Sequence, residues 1–396
     1  TWSVLGPVVG GGLDWYTDQN LSSKPGDQIS GDYGWSGTNN AEWLDSKFAL
    51  VVLQPAPAPP TPIRGNRVVF RIALATDRNT VSGEGFAIDN VRIGERTRTI
   101  LLENFSNVGN QNPSEKAVND FIRGFNALSV GLEVVKFNYH VGFPGLDPFN
   151  QDNPGDPSSR ALYYNIETTP RSRLDGQAEP NPNQPLFTQW GQAEFNKRSL
   201  QLAQADLFVK PNMTNPNEIS VTVHVKPTVK LDNKTVLYIG VLEELIPLAS
   251  LSSQKQTLIK SGEDTFDFVV KKMLPSTLGT KTSTHPRANN NGELEIPPTT
   301  PPNPADSTYV FGPFTWVPEP SLFYAPNTDD LAIGVFLQNE DTKEIYQSEI
   351  VFDLDDPVVT VTSLEDLLPE DVLAYPNPAN EQLTVELPAR FDQPIR

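Results

Sequence analysis

Apolar and polar positions alternate with a period of two along much of this chain, and the pattern predicts strands. Residues 67–75 (RVVFRIALA) and 85–93 (GFAIDNVRI) read as half-buried strands, and residues 41–53 as a strand pair or one bent strand. Gly, Asn, Asp and Ser turns separate them, together with an extended loop carrying Pro55, Pro57, Pro59, Pro60 and Pro62. Short strands and turns at this spacing predict a sandwich or jelly roll over residues 1–97.

The pattern changes near Thr99. Residues 99–105 (TILLENF) are almost continuously apolar, as in a strand buried on both faces. Ser114, after Pro113, is the expected N-cap of a helix whose core face is Val118, Phe121, Ile122 and Phe125. Residues 132–140 (LEVVKFNYH) form a second strand, and residues 141–157 a loop rich in Gly and Pro. Asp156-Pro157 is expected to open a short helix through Tyr164, with the cap and the first-turn proline in order. Thr169-Pro170 precedes a short strand, and a last helix is expected near residues 190–204. This alternation is an α/β signature.

From Ala205 the period of two returns. Strands are expected at residues 207–210, 218–226, 236–243, 265–271, 309–317, 331–338 and 345–352, enough for a second sandwich. Residues 289–304 read as a surface loop or linker. The expected fold class is therefore multidomain, mainly β with one α/β module. The expected domains are residues 1–97, 98–204, 205–360 and a C-terminal piece at 361–396.

Composition removes several kinds of chemistry. The 396 residues include no Cys, which excludes disulfides, thiolate metal sites and thiol nucleophiles. The net charge of −19 argues against nucleic acid and anionic membrane as partners. No apolar run approaches the roughly 20 residues of a membrane span. Eleven acids against Lys343 in residues 340–371 read as a solvated face. The chain opens on Thr1, as expected where a leader is removed or the start is missing.

Catalytic signatures are absent from the sequence. His140, His224 and His285 stand in three separate contexts, with no HExxH, nucleophile elbow or phosphate loop. His140, at the end of an apolar strand, is expected to be a satisfied structural histidine. Glu243 and Glu244, adjacent on a strand, point to opposite faces and cannot flank one glycosidic bond. No catalytic residue and no certain cofactor is expected.

Three stretches resemble known families. Residues 372–387 (VLAYPNPANEQLTVEL), with Tyr375, Pro376, Asn377 and Pro378 at their centre, resemble the opening strands of the C-terminal sorting domain read by the type IX secretion system of Bacteroidota. In that family the domain runs on past the position of Arg396, so the signal stands incomplete here. Residues 99–205 resemble a thioredoxin-like domain of Bacteroidota surface proteins and outer-membrane lipoproteins. The resemblance is carried by Leu101 to Phe105, Tyr139-His140, Asp156 to Ala161 with Tyr163-Tyr164, and Thr169-Pro170. It implies a cis Pro170 beside the family's active site. Where redox members carry cysteine, this chain has the turn from Asn107 to Asn112, with Asn107, Asn110 and Asn112 at the degenerate positions. The scaffold is then expected without its chemistry. The same resemblance continues over residues 205–352, which are similar to the β-sandwich that follows this domain in the lipoproteins, notably at Val236–Glu244 and Phe268–Gly279.

The third stretch, Gly85 to Val91, resembles the last core strand of MAM-like and adhesin-type jelly rolls. That resemblance implies a structural calcium held by Asp89, with Asp14 as a candidate second ligand; the alternative is a local turn at Asp89-Asn90.

Together these features predict a non-enzymatic protein, secreted or attached to the outer cell surface and carried there by type IX secretion. Its expected role is adhesion, interaction or structural assembly, including a surface filament. Its expected partners are the type IX machinery and other surface proteins, copies of itself or glycans. One alternative is a carbohydrate-binding accessory using Trp35 and Trp43, weighed against core or loop-anchoring aromatics. Another is a hydrolase with an unrecognised acidic cleft.

Overall fold

The fold is described from a computed structural model. It describes residues 5, 12–21, 33–37, 43–48, 51–52, 61–62, 68–73, 87–94, 96–124, 134–177, 192–215, 218–298, 307–318, 323–352, 354, 373–375 and 383–386. The architecture is mainly β, with several sheets and a few helices.

Among the described residues, the N-terminal region holds five short strands: β1 (Gly12–Leu13), β2 (Lys47–Phe48), β3 (Val51–Val52), β4 (Thr61–Pro62) and β5 (Val68–Phe70). β1 pairs with β2 and β3 with β4, both antiparallel. The strand expected over residues 85–93 is not seen: residues 87–93 carry no strand, and Ile88 and Val91 are exposed. The reason is local. Asn90 sits at φ 55°, and its N–H is taken by Oδ1 of Asp89 at 2.7 Å, so the amide a ladder would use is already bonded.

The α/β region follows as β6 (Ile100–Ser106), α1 (Pro113–Gly124), β7 (Val134–His140), α2 (Gly155–Tyr163), β8 (Arg171–Leu174) and α3 (Gln192–Ser199). β6 is parallel to β7 on one side and antiparallel to β8 on the other. Val118 of α1 and Phe195 of α3 pack with Ile100, Leu102, Val134 and Leu174. Ala161 of α2 packs instead with Leu101, Phe105, Val135 and Phe137, on the opposite face of the same strands. Asn112 caps α1, not Ser114. Its Oδ1 accepts the Ser114 N–H at 3.0 Å and its carbonyl accepts the Glu115 N–H at 3.0 Å, which leaves Pro113 at the first helical position, where no N–H is needed.

The remaining strands are β9 (Ala205–Asn215), β10 (Glu218–Pro227), β11 (Thr235–Pro247), β12 (Thr265–Leu274), β13 (Thr280–Lys281), β14 (Tyr309–Trp316), β15 (Leu331–Asn339), β16 (Ile345–Val351), β17 (Leu373–Tyr375) and β18 (Leu383–Glu386). A short helix, α4 (Ser253–Gln256), precedes β12. β14, β10 and β9 form one sheet in that order. Its inward residues Ile219, Val221, Val223 and Val225 are fully buried against Ile239, Val241, Ile333, Val335 and Leu337 of β11 and β15. Within the segment expected as a surface loop or linker over residues 289–304, Leu294 is buried and bridges Leu231. β17 pairs antiparallel with β18, and β18 with β5.

The boundary expected at residue 204 does not separate two sheets. β16, β15, β11, β12, β7, β6 and β8 follow one another in a single eight-stranded sheet, with β13 added beside β11. One register pair, Val269 with Asn138, joins β12 to β7 in parallel. Side chains stitch the rest of this seam. Oδ2 of Asp156 accepts the Met273 N–H at 2.8 Å, Nδ2 of Asn153 donates to the Lys271 carbonyl at 3.1 Å, and Arg123 pairs with Asp267 at 2.6 Å. Asp156 therefore serves the seam rather than capping α2, whose N-cap is Pro154 with no side-chain bond.

The core crosses the seam. The Phe137 ring of β7 lies over Gly240 of β11 and Gly334 of β15, where an added Cβ would run into the ring. Phe137 also meets Phe336 edge to face at 5.3 Å. The two glycines face each other in the β11–β15 register, so they form one slot.

Candidate functional site

Asn107 opens the turn between β6 and α1. This side chain is fully buried. Its Nδ2 donates toward three carbonyls of the next loop, those of Val141 at 2.8 Å, Phe143 at 3.1 Å and Gly145 at 2.7 Å. The carboxamide donates hydrogen bonds that fix the loop, stronger than the weak ones a thiol could give. The Asn110 N–H closes the turn onto the Asn107 carbonyl at 3.4 Å. Asn112 reaches across to the Thr169 carbonyl at 3.4 Å, next to the cis Thr169–Pro170 peptide. Asn107, Asn110, Asn112 and Pro170 are thus brought to one corner of the fold.

Beneath this corner lies a buried acid and histidine cluster. Glu115, on the first turn of α1, is fully buried, and its Oε1 accepts the Thr169 hydroxyl at 2.6 Å. His140 ends β7 with Nδ1 3.1 Å from Oδ2 of Asp147. The same carboxylate accepts the N–H groups of Val108, Phe149 and Asn150 at 2.7, 2.8 and 3.1 Å. Glu263, just before β12, accepts from Nδ2 of Asn119 across the seam. Burial pushes the Glu115 carboxyl up to about 8; the Thr169 hydroxyl and Asn107 N–H oppose this, and the Glu263 and Asp147 charges add to it. Burial also raises Glu263. Five buried atoms of this cluster are without a hydrogen bond: Oδ1 of Asn107, Oε2 of Glu115, Nε2 of His140, the Ser261 hydroxyl and Oε2 of Glu263.

His140 is therefore only half satisfied, which the sequence reading missed. The sequence carried no clear signal for Glu115: three residues after the Asn112 cap, in the first turn of α1, an acid is the ordinary choice, and only the fold buries it. Glu263 had no marker either.

A second ionic centre lies in the core on the α2 side of the sheet. Arg160 donates to Oε1 of Glu103 from Nε at 3.0 Å and from a terminal nitrogen at 2.7 Å. The Tyr139 and Tyr164 hydroxyls donate to the same carboxylate at 3.1 and 2.6 Å. Burial raises both phenols well above their ordinary value, which keeps them neutral donors. The guanidinium is packed against Tyr163, Tyr164, Tyr238 and Phe336.

The other expected residues stand apart from this corner. Trp35 belongs to a ring cluster, 5.0 Å from Trp15 and 4.7 Å from Tyr16, and its indole N–H points to the Asp14 carbonyl at 3.4 Å. Trp43 is 72% exposed. Asp14 and Asp89 are both exposed, and Asp89 closes its own turn onto Asn90. Among the described residues no group of three or more His, Asp or Glu side chains is arranged to hold a metal ion. Glu243 is buried and Glu244 exposed, on opposite faces of β11 as expected. Tyr375 ends β17, while Pro376, Asn377 and Pro378 lie outside the described residues. Among the described residues no helix is long and apolar enough to cross a membrane.

No family model matches this chain. No curated protein matches it. Among solved structures, HBP35 of Porphyromonas gingivalis is similar at 13% identity and a TM-score of 0.42, over 74% of this chain and 86% of that one. A domain of the outer membrane lipoprotein Omp28 from Porphyromonas gingivalis is similar at 15% identity and a TM-score of 0.23, over 38% of this chain and 89% of that one. The functional reading rests on the chain's own residues.

Proposed function

We propose that this chain is an exported, non-enzymatic protein of the outer cell surface or extracellular space, acting in adhesion, interaction or structural assembly. The observation that carries the reading is the Asn107 clamp. At the corner where a thioredoxin-like scaffold would place its reactive thiol, a buried carboxamide is committed to three carbonyls, and the chain holds no Cys at all. The acids below it are buried as well, so they offer no open face to a substrate. The scaffold then works as a rigid support whose loops and surfaces meet partners.

Export rests on the Tyr375-Pro376-Asn377-Pro378 stretch, and the pairing of β17 with β18 on either side of it is compatible with the opening hairpin of a sorting domain. The partners in this reading are the type IX secretion machinery and other surface proteins or copies of the same chain. The glycan-binding alternative is favoured by one observation, the exposure of Trp43.

Two measurements test the reading separately. The purified full chain is expected not to accelerate insulin reduction by dithiothreitol; turnover would overturn the non-enzymatic part. A completed version of residues 361–396 fused to a reporter is expected to be exported in a type IX-competent cell. Retention of the reporter inside the cell would overturn the export part.

A further inference from the structure

The cluster beneath Asn107 joins two parts of the chain that share only one register pair in the sheet. α1 supplies Glu115 and Asn119, β7 supplies His140, and the loop after it supplies Asp147. The segment between α4 and β12 supplies Glu263. That segment also donates the Lys260 and Ser261 N–H groups to the Val108 carbonyl, at 2.7 and 3.1 Å. It is therefore clipped to the Asn107 turn by two main-chain bonds and to α1 by the Asn119–Glu263 bond.

The unpartnered atoms decide what the cluster needs. Oδ1 of Asn107, Oε2 of Glu115 and Oε2 of Glu263 are buried acceptors with no hydrogen bond in place, and the Ser261 hydroxyl and Nε2 of His140 beside them are unpartnered too. Three orphaned acceptors are costly while both carboxyls are ionised. A proton on either carboxyl turns one acceptor into a donor and removes one of two like charges. Among the described residues, the charges that act on Glu115 are Glu263 from the pre-β12 segment and Asp147 from the loop after β7, and His140 and Asp147 act on Glu263. Thr169, before β8, adds only a hydroxyl. No lysine or arginine enters this set.

We propose that Glu115 and Glu263 form a proton-held latch that keeps the segment around Lys260–Glu263 fastened to the Asn107 turn, so that a rise in pH loosens this seam before the rest of the fold. The latched state holds a proton that the opened, hydrated state gives up. Opening therefore becomes easier as the pH rises from the ordinary carboxyl range toward the value at which Glu115 ionises in place, and levels off above it.

Hydrogen exchange on the full-length protein tests this directly. The readout is the protection factor, corrected for intrinsic exchange, of a peptide covering residues 257–266, compared with one covering β10. In the wild type, protection of residues 257–266 is expected to fall at least tenfold more than that of β10 between pH 5.5 and pH 8. Glu115→Gln and Glu263→Gln, which each keep the shape and remove one ionisable group, are expected to flatten this fall. Equal pH dependence of the two peptides in the wild type would overturn the latch. So would an unchanged fall in both variants.

Discussion

Oδ2 of Asp156 receives the main-chain N–H of Met273 at 2.8 Å, across 117 residues of sequence and across the seam of the large sheet. With Asn153 donating to the Lys271 carbonyl, the first turn of α2 and the loop before it present to the end of β12 the donor and acceptor that another strand would offer. Side chains there extend the work of a ladder that is one register pair long.

Asp156→Ala leaves the buried Met273 N–H without a partner and removes the Lys272 contact at 3.2 Å. The expected loss is about 1–3 kcal/mol. Asp156→Asn keeps an acceptor oxygen and is expected to lose less. Urea unfolding midpoints of the three proteins check the order.

Arg160 and Glu103 are almost wholly buried. Arg160→Met strands the carboxylate on two tyrosine hydroxyls and is expected to cost about 3–5 kcal/mol. The double variant Arg160→Met with Glu103→Gln is expected to lose clearly less than the sum of its parts, because no unpaired charge remains. A double-mutant cycle by chemical denaturation measures the coupling.

The two candidate tryptophans are expected to behave oppositely. Trp35→Ala removes a ring packed on Trp15 and Tyr16 and should cost about 1–3 kcal/mol. Trp43→Ala, at an exposed position, should change stability by no more than about 0.5 kcal/mol. A glycan array on the wild type and on Trp43→Ala then decides the carbohydrate alternative: binding lost with stability intact supports it, and no binding by the wild type removes it.

Global stability should also carry the signature of Glu115. Its carboxyl ionises near 4.5 in the unfolded chain and at about 8 in the folded one. Between those values only the folded state holds the proton, so this group's contribution is fullest at the acid end and falls as the pH rises. The slope is about 1.4 kcal/mol per pH unit from this group alone. Relative to wild type, Glu115→Gln is expected to gain stability steadily from pH 5 to pH 8. A difference between the two proteins that does not change with pH would contradict the assignment.

Local periodicity made much of the fold legible. Ile219, Val221, Val223 and Val225 alternate in the sequence and are all buried in β10. The same rule failed at residues 87–93, where Asp89 captures the next N–H and Asn90 turns the backbone. The boundary at residue 204 was visible as a change of period, yet the sheet runs through it, because Asp156 and Met273, or Asn119 and Glu263, meet only in space. Asn107 was marked as a degenerate position, but its three carbonyl partners belong to a loop whose path no pattern encodes. Glu115 stands where a first helical turn ordinarily carries an acid, so its burial follows from the packing around α1 and left no trace in the sequence.

The slot beneath Phe137 has a consequence for the order of assembly. It exists only when Gly240 and Gly334 stand side by side, which requires β11 and β15 to be paired already. The ring is therefore expected to dock only after that long-range strand pair has formed. Phe137 is then expected to contribute little at the rate-limiting step and much to the speed of unfolding, the mark of a late contact.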